Sequence, residues 1–212
     1  MAGRRGSAHA HMRQPVPRRG ERLLRWYRVV PAVLLVLTLA VVVVVGSNPT
    51  SLGRYLVYPV HHEEAIEAAS ERHCVDPLLV CAVIKCESDW DENARSAAGA
   101  IGLMQVMPLT AETMAALGYV DADAWDPDAL TDPEVNIEYG CAYLGYLQSH
   151  LSSLDEVIAA YNAGIGAVQG WIAEGGTIPD DVEFAETRVY LDRVRNAYEG
   201  YQGAYPDGIG EL

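Results

Sequence analysis

Apolar residues recur at helical spacing throughout the chain after residue 60. Helix-start signals precede several of these runs: Asp76-Pro77, Asp132-Pro133 and the capping box that begins at Ser153. No alternation typical of strands extends beyond a few residues, so we predict an all-α domain. The predicted helices are Glu63–Arg72, one containing Leu78–Ile84 and ending near Glu87, a long helix after Asp132-Pro133 with Val135, Ile137, Cys141, Leu144 and Leu147 on one side, one containing Val157–Tyr161 and ending at Gly164, and a last one from Ala185 to Tyr198.

An earlier segment, Val29–Gly46, is predominantly apolar and carries no charge. About 17–25 apolar residues span a bilayer, so its 18 positions are sufficient. Trp26 and Tyr27 precede it where interfacial aromatic residues are common. A cleaved signal peptide is the alternative, but its apolar core is usually shorter and is followed by a small-residue cleavage site. We therefore predict an uncleaved transmembrane signal anchor.

The charge distribution orients this anchor. The chain has 212 residues and a net charge of −14, yet residues 1–28 contain eight arginines against a single acid, Glu21. The positive side of an anchor stays in the cytoplasm, so residues 47–212 are expected outside the cell membrane. Residues 29–212 hold seven basic and 28 acidic side chains, which argues against nucleic acid as a partner. We divide the chain into a basic tail (1–28), the anchor (29–46), a linker (47–60), a catalytic domain (61–201) and a C-terminal tail (202–212).

Several motifs carry no further prediction. His61-His62-Glu63-Glu64 lacks the spacing of a zinc site, because adjacent helical residues point in different directions. Gly164-Ile-Gly166 lacks the strand and the third glycine of a dinucleotide-binding loop, and a helix stop explains it better.

Glu87 is a candidate general acid. It falls near the end of an apolar helix, where the negative end of the helix dipole disfavours a carboxylate. The apolar residues Val80–Ile84 would also desolvate it, and both effects favour the neutral form. An acid used near neutral pH needs such a raised pKa. From these residues alone, an ordinary surface glutamate remains an alternative.

The stretch that follows is more specific. It runs Glu87-Ser88, Trp90, Ala94-Arg-Ser96, Gly99-Ala100 and Gly102-Leu-Met-Gln105-Val-Met107-Pro108, and three further blocks follow in order: Asn136-Ile137 with Gly140 and Tyr143-Leu144, Ala160-Tyr-Asn-Ala-Gly164, and Glu186-Thr-Arg188 with Tyr190. Together these blocks resemble the catalytic domain of the soluble lytic transglycosylases over residues 61–201.

This resemblance implies a lysozyme-like helical fold of the SLT or goose-lysozyme type. It also implies cleavage of the β-1,4 bond between MurNAc and GlcNAc in peptidoglycan, with formation of 1,6-anhydro-MurNAc and without metal or organic cofactor. Glu87 would be the single acid/base. The glycan strands and, through the anchor, the cytoplasmic membrane are the expected partners, and we expect a monomer.

The resemblance also assigns substrate contacts. Ser96, Gln105 and Met107 match cleft residues that contact the saccharide. Tyr161 is expected to hydrogen-bond to Glu87, with Asn162 beside it, although its hydroxyl would alternatively satisfy a backbone group. Tyr190 matches an aromatic residue that lines the cleft, with the same alternative. Gly99, Gly102 and Gly140 are interpreted as backbone requirements.

Two positions depart from the family pattern, and both add charge. Glu92 stands where proline is usual, and Asp89 where a small residue such as glycine is common. Both lie at the expected cleft edge and would raise the pKa of Glu87. One rival function is a lysozyme-type muramidase, a hydrolase in which Asp89, Asp91 or Glu92 is the second carboxylate. The other is a catalytically silent cell-wall-binding scaffold.

Four cysteines fall in the part predicted to lie outside the cell, where disulfides persist. We predict a Cys86–Cys141 bridge beside Glu87, with Cys74–Cys81 as a weaker pair. Buried free thiols are the alternative.

Overall fold

The computed structural model describes residues 29–39 and 57–210. The chain divides into two compact units, Met1–Pro49 and Thr50–Leu212. In the first unit, residues 29–39 are helical and their apolar side chains are exposed. The rest of the predicted anchor, residues 40–46, and the whole basic tail lie outside the described residues. Among the residues that are described, no helix has both the length and the apolar character needed to cross a membrane.

The second unit begins with two helices whose ends are defined by local chemistry. Helix α1, Glu63–His73, has acids in its first turn and Arg72 and His73 in its last, which complements the helix dipole. Helix α2, Pro77–Glu87, follows the N-cap Asp76, whose carboxylate accepts the Leu78 N–H at 2.8 Å. Every residue from Leu79 to Ile84 is buried, so α2 runs through the core.

A loop of residues 88–107, which we call the α2–α3 loop, leads to helix α3, Pro108–Ala116. A 3₁₀ turn, Pro127–Ala129, precedes helix α4, Pro133–His150. The carboxylate of Asp132 caps α4 by accepting the N–H groups of Glu134 and Val135. Half of the residues of α4 are buried, including the polar Asn136 and Glu138. These two side chains therefore need partners inside the protein.

Three helices complete the unit. Helix α5, Leu154–Ala163, begins at Ser153, whose hydroxyl accepts the Glu156 N–H at 3.2 Å. Gly164, with φ of +84°, ends α5 and begins helix α6, Ile165–Ala173. Helix α7, Ala185–Ala204, is the longest. Within residues 57–210 there is no strand, only isolated bridges from Ile101 to Arg95 and to Val106 in the α2–α3 loop.

The core lies where α2, α4, α5 and α7 meet. Helix α2 packs against α7, α1 against α4, and α5 against α4, α6 and α7. The buried carboxylate of Glu138 joins α4 to α1, because it accepts hydrogen bonds from Arg72 and from His73. These partners lower the pKa of Glu138 despite its burial. The domain is thus all-α, as the sequence predicts, and α2 is held from several sides.

Some predicted boundaries were wrong. No helix was predicted at α3 or α6, and residues 202–210, which were predicted as a tail, are part of the fold. Helix α7 continues to Ala204, and Tyr205 and Ile209 are buried in the core. At the other end, Tyr58 and Val60 of the predicted linker pack against the core. Apolar residues outside the long periodic runs therefore complete the domain.

The predicted disulfides are absent, and all four cysteines are free thiols. Cys81 and Cys86 are five positions apart on α2, so they face different sides of that helix. Cys81 is the one near Cys141: burial raises the pKa of the Cys81 thiol, and the charge of Cys141 raises it further. Cys86 instead lies close to Arg193 and Glu87. Cys74, with φ of +56°, is exposed at the C-cap of α1.

Candidate active site

Glu87 is the last residue of α2, and the chain turns sharply after it. The Ser88 and Asp89 N–H groups donate hydrogen bonds to the carbonyls of Ile84 and Lys85 in the last turn of α2. Asp89 and Trp90 then both take the left-handed conformation, with φ of +51° and +69°. The left-handed φ of Asp89 explains why a small residue such as glycine suits this position. The indole N–H of Trp90 donates to the Tyr201 hydroxyl at 3.1 Å and fixes the turn.

Burial raises the pKa of Glu87 to about 7. The Tyr190 hydroxyl and the positive charge of Arg193 act in the opposite direction and favour the carboxylate. Asp89 and Glu92 are not among the causes, so the expectation that their charges raise this pKa was wrong. Asp89 pairs with Lys85 at 3.2 Å and Glu92 with His62 at 2.8 Å, both near the surface. Desolvation beside the apolar α2 is the dominant effect, as the sequence predicts.

Tyr190 is the tyrosine that adjoins Glu87. Its hydroxyl acts on Glu87 as a hydrogen-bond donor and favours the carboxylate. The buried hydroxyl has no other hydrogen-bond partner among the described residues. Burial and the Glu87 charge raise the pKa of Tyr190 well above its ordinary value, so the hydroxyl stays protonated.

Tyr161 has a different partner from the one predicted. Its hydroxyl donates to the main-chain carbonyl of Met104 at 2.9 Å, not to Glu87. Tyr161 nevertheless lies near enough for the Glu87 charge, together with burial, to raise the pKa of its hydroxyl. This is the backbone-satisfying alternative that the sequence left open.

Asn136 fixes the α2–α3 loop from below. Its side-chain oxygen accepts the Met104 N–H at 2.8 Å, and its amide nitrogen donates to the carbonyls of Ile101 at 2.8 Å and Leu130 at 2.9 Å. The side chain is completely buried. One residue of α4 thus satisfies three backbone groups that would otherwise be buried without partners.

Two glycines permit this close packing. Gly102 has φ of +76°, and a Cβ there would lie 2.5 Å from the amide nitrogen of Asn136. At Gly140 a Cβ would lie 2.2 Å from the sulfur of Met104. Both positions therefore require glycine for the backbone, as the sequence predicts. Gly99 has φ of +97° with open space around it, so glycine is favoured at this position by the backbone conformation alone.

A pocket of about 220 Å³ lies between the α2–α3 loop, α3 and α5. We call it the Gln105 pocket. Four predicted substrate contacts line it: Gln105, Met107, Tyr161 and Asn162. Thr110, Tyr143 and Gly164 complete the wall, and the rings of Tyr143 and Tyr161 are 5.4 Å apart. The combination of aromatic faces and amides is suited to a sugar, which presents apolar C–H faces and hydroxyls.

The amides of the pocket are held by the protein. The Gln105 Nε2 donates to the carbonyls of Ala94 and Gly102, which leaves the side-chain oxygen available as an acceptor. Gln105 has φ of +48°, an unusual value for this residue type and one found where function tolerates strain. The Asn162 oxygen accepts from the buried Thr187 hydroxyl at 2.8 Å, which leaves its NH₂ group to donate.

Ser96 and Tyr190 do not line the Gln105 pocket. The Ser96 hydroxyl accepts the Ala100 N–H at 3.0 Å and shapes the α2–α3 loop. Sequence reasoning missed Thr110 and Tyr143 as pocket residues, and gave no role to Asn136 or Thr187. Tyr143, Asn136 and Thr187 all fall inside the recognised sequence blocks, so that signal was present. Thr110 had none.

Chemically, these features amount to one carboxyl poised near neutral pH beside a pocket suited to sugars. Such a group can donate a proton to a leaving oxygen and then accept one. A helical domain that presents a half-buried acid at a helix end, near a pocket lined by aromatic side chains and amides, is of the lysozyme-like class. The transglycosylase SLT domain family matches residues 64–183, more than half of the chain. The chain belongs to this family.

Individual relatives agree. The soluble lytic murein transglycosylase of Escherichia coli is 30% identical over 152 residues, which cover 68% of this chain and 23% of that protein. The membrane-bound lytic murein transglycosylase C of Edwardsiella ictaluri is 34% identical over 167 residues, 66% of this chain and 46% of the relative. This chain therefore spans only about a quarter to a half of the relatives' lengths.

A solved structure shares the fold. An inactive glutamate-to-glutamine mutant of the lytic transglycosylase Slt from Pseudomonas aeruginosa matches with a TM-score of 0.63 and 26% identity, over 74% of this chain and 26% of that one. The lysozyme-like helical fold expected from the sequence is thereby confirmed for the second unit.

Proposed function

We propose that the protein is a peptidoglycan lytic transglycosylase that uses Glu87 as its only acid/base. The observation that carries this proposal is the half-buried Glu87 carboxyl, with a pKa of about 7, beside the Gln105 pocket. Family membership and the names of the relatives support the substrate class. The inactive glutamate-to-glutamine mutant of the Pseudomonas aeruginosa protein supports an essential glutamate.

The proposed reaction consumes no water. Protonated Glu87 gives its proton to the glycosidic oxygen, and the bond from that oxygen to C1 of MurNAc breaks. The C6 hydroxyl of the same MurNAc then attacks C1 and gives its proton to Glu87, so a C1–O6 bond forms and the acid is regenerated. An intramolecular hydroxyl competes well with water because its effective molarity reaches about 10⁵ M or more in good geometry.

A hydrolase would need a second carboxylate to activate water or attack C1. None of the three candidates, Asp89, Asp91 and Glu92, is among the groups whose charge acts on Glu87. This supports the single-acid mechanism over the muramidase alternative. The raised pKa of Glu87 likewise supports a catalytic domain over a silent scaffold.

Mass spectrometry of released muropeptides tests the reaction. The purified outer domain, residues 47–212, should release products lighter by one water than reducing-end muropeptides. These products should contain no oxygen from labelled water. Glu87→Gln should reduce the rate by about 10²–10⁴-fold or more, because it removes both proton transfers. Reducing-end products that carry labelled oxygen would establish the hydrolase instead.

We further propose that Val29–Gly46 anchors the domain outside the cytoplasmic membrane with residues 1–28 inside. The eight arginines before the apolar run support this orientation. A relative that is named membrane-bound supports attachment to a membrane. Protease added to cells with a permeabilised wall should remove the outer domain and leave the anchor behind. A shortened soluble product in the medium would identify a cleaved signal peptide.

A further inference from the structure

A second pocket, of about 540 Å³, opens beside the C-terminal end of α2. We call it the Arg193 pocket. Its wall includes Tyr58, Lys85, Cys86, Asp89, Arg193 and Asn196. None of these residues lines the Gln105 pocket, and the proposed chemistry uses none of them as a reacting group.

Positive charge is scarce in this part of the protein. Residues 29–212 contain seven basic side chains against 28 acidic ones. Three of the basic side chains are committed to internal partners: Arg72 to Glu138, Arg195 to Asp155, and Arg188 to the Val182 carbonyl. Lys85 and Arg193 come from different helices, yet they line the same pocket. Two cations against the single carboxylate of Asp89 leave this pocket with a net positive charge, which in so acidic a domain indicates a site for an anion.

Both cations keep donors for a ligand. The Arg193 Nη2 donates to the Cys86 carbonyl at 2.8 Å, which uses one of five N–H groups and holds the guanidinium at the end of α2. The Lys85 ammonium contacts Asp89 at 3.2 Å, but that carboxylate is 79% exposed and such pairs are weak. A guanidinium with free donors matches the two oxygens of a carboxylate.

The pocket also adjoins the reacting carboxyl. Cys86 and Lys85 immediately precede Glu87, and Arg193 is close enough to act on the charge of Glu87. The charge of Glu87 is likewise felt by Tyr161 in the Gln105 pocket. Glu87 thus interacts electrostatically with one residue of each pocket. In peptidoglycan the peptide is attached to the lactyl group of MurNAc, the sugar that Glu87 would act on.

We propose that the Arg193 pocket binds a carboxylate of the peptide that peptidoglycan carries on MurNAc. This inference rests on the proposed function and adds a specificity element to it. The carboxylate is held by Arg193 and Lys85, with Asn196 as a further donor. The enzyme accordingly distinguishes glycan strands by the charge of their peptides as well as by their sugars.

The test compares two substrates that differ only in charge. Glycan strands with uncrosslinked peptides are freed of phosphodiester-linked polymers, and half of the preparation has its peptide carboxyls converted to neutral amides. The wild-type protein should show a KM about 3- to 10-fold higher for the amide form, the size expected for charged hydrogen bonds near the surface. Lys85→Gln and Arg193→Gln should each reduce this ratio towards one.

Arg195→Gln is the matched control, because it removes the same charge from α7 on the side that faces Asp155. It should keep the wild-type ratio. Arg193→Gln also alters the surroundings of Glu87, but a change in kcat common to both substrates leaves the ratio of KM values unaffected. Unfolding of each variant is followed by circular dichroism, so that loss of fold is not read as loss of binding.

Equal KM values for both substrates with the wild-type protein would overturn the inference while leaving the proposed function intact. So would discrimination that survives in Lys85→Gln and Arg193→Gln, or that appears only when phosphodiester polymers are retained. Failure of the wild-type protein to cleave either substrate would instead overturn the proposed function.

Discussion

The Tyr161 hydroxyl donates to the main-chain carbonyl of Met104 at 2.9 Å and so ties α5 to the α2–α3 loop. Tyr190, on α7, is left as the tyrosine that acts on the Glu87 carboxyl. Two buried hydroxyls near one acid thus have separate tasks. The Tyr161 hydroxyl holds the shape of the Gln105 pocket, and the Tyr190 hydroxyl lowers the pKa of Glu87. Substitutions that remove only a hydroxyl can separate these tasks.

Tyr161→Phe should destabilise the domain, because the Met104 carbonyl would lose its buried partner. The expected loss in the free energy of unfolding is about 1–2 kcal/mol. Denaturant unfolding measures it. Tyr119→Phe is the control, since the Tyr119 hydroxyl has no hydrogen bond among the described residues and the side chain is partly exposed; that variant should differ little from wild type. Equal losses in both variants would contradict the assignment.

Tyr190→Phe should change the pH dependence of the reaction. The proposed general acid works when protonated, so kcat/KM should fall as pH rises through about 7. Because Tyr190 favours the carboxylate, its removal should raise the pKa of Glu87 and move this fall to higher pH. The pH profile of kcat/KM measures the shift. Tyr161→Phe should leave the position of the fall unchanged, and a shift in that variant alone would reverse the roles given to the two tyrosines.

Glu87→Gln should stabilise the domain at alkaline pH. The pKa of Glu87 is about 7 in the folded protein against 4.5 for an ordinary glutamate, so the folded state binds the extra proton between these values. The contribution of this proton to the free energy of unfolding is complete below pH 4.5 and is lost as pH rises through 7. Wild type and variant should be similar at pH 4. The variant should be more stable by about 3 kcal/mol at pH 8.

Urea unfolding of both proteins from pH 4 to pH 8 provides the measurement. Taking the difference between the two proteins cancels the other titrating groups, such as Glu138, whose lowered pKa acts in the opposite direction. A difference that does not change with pH would mean that burial does not hold Glu87 neutral.

Gly102→Ala should be costly. The added Cβ would lie 2.5 Å from the Asn136 amide and 2.9 Å from the Leu130 carbonyl, at a φ of +76°. Overpacking and strain together predict a loss of roughly 2–4 kcal/mol in unfolding free energy. Gly170→Ala is the matched control, because a Cβ there meets nothing within 4 Å on α6. It should stabilise the domain by up to about 1 kcal/mol through helix propensity. Similar values for the two variants would argue against the packing described here.

Four alkylatable thiols should be found in the denatured, unreduced outer domain, because the structure contains free cysteines. In the native protein Cys74 should react first, since it is exposed. Cys81 and Cys141 should react only on unfolding, because burial raises the pKa of both thiols. Mass spectrometry after timed alkylation follows this order. Fewer than four modified thiols after denaturation would indicate that the protein contains a disulfide.

The sequence predicted the parts of the fold that depend on local chemistry. Asp76, Asp132 and Ser153 each cap the helix expected of them, because their side chains act within three residues. Helices α3 and α6 were not predicted, because they are short and their apolar residues do not form one clear face. Tyr205 and Ile209 were assigned to a tail, because the burial of isolated apolar residues depends on contacts with distant segments and gives no periodic signal in the sequence.

The same distinction applies to the site. The raised pKa of Glu87 was predictable, because it depends on the apolar α2 that carries it. Four pocket residues came from the sequence blocks. The partners of Tyr161 and Tyr190 were not predictable, since each hydroxyl chooses between groups on distant segments. The expected effect of Asp89 and Glu92 failed for a similar reason: Lys85 and His62 pair with them at the surface.

Asn136 ties the loop at the rim of the Gln105 pocket to the interior of the protein. The α2–α3 loop contains no helix or strand, yet the Met104 N–H of this loop donates to the completely buried side chain of Asn136. An opening of this loop at residues 101–104 must break two buried hydrogen bonds to Asn136 of α4 at once, which makes local opening costly. The Met104 amide proton should therefore exchange with solvent on the timescale of whole-domain unfolding, and not on that of a surface loop. Under the proposed function, a glycan strand meets a rim that is already shaped, because the loop lost its conformational entropy during folding and does not lose it on binding.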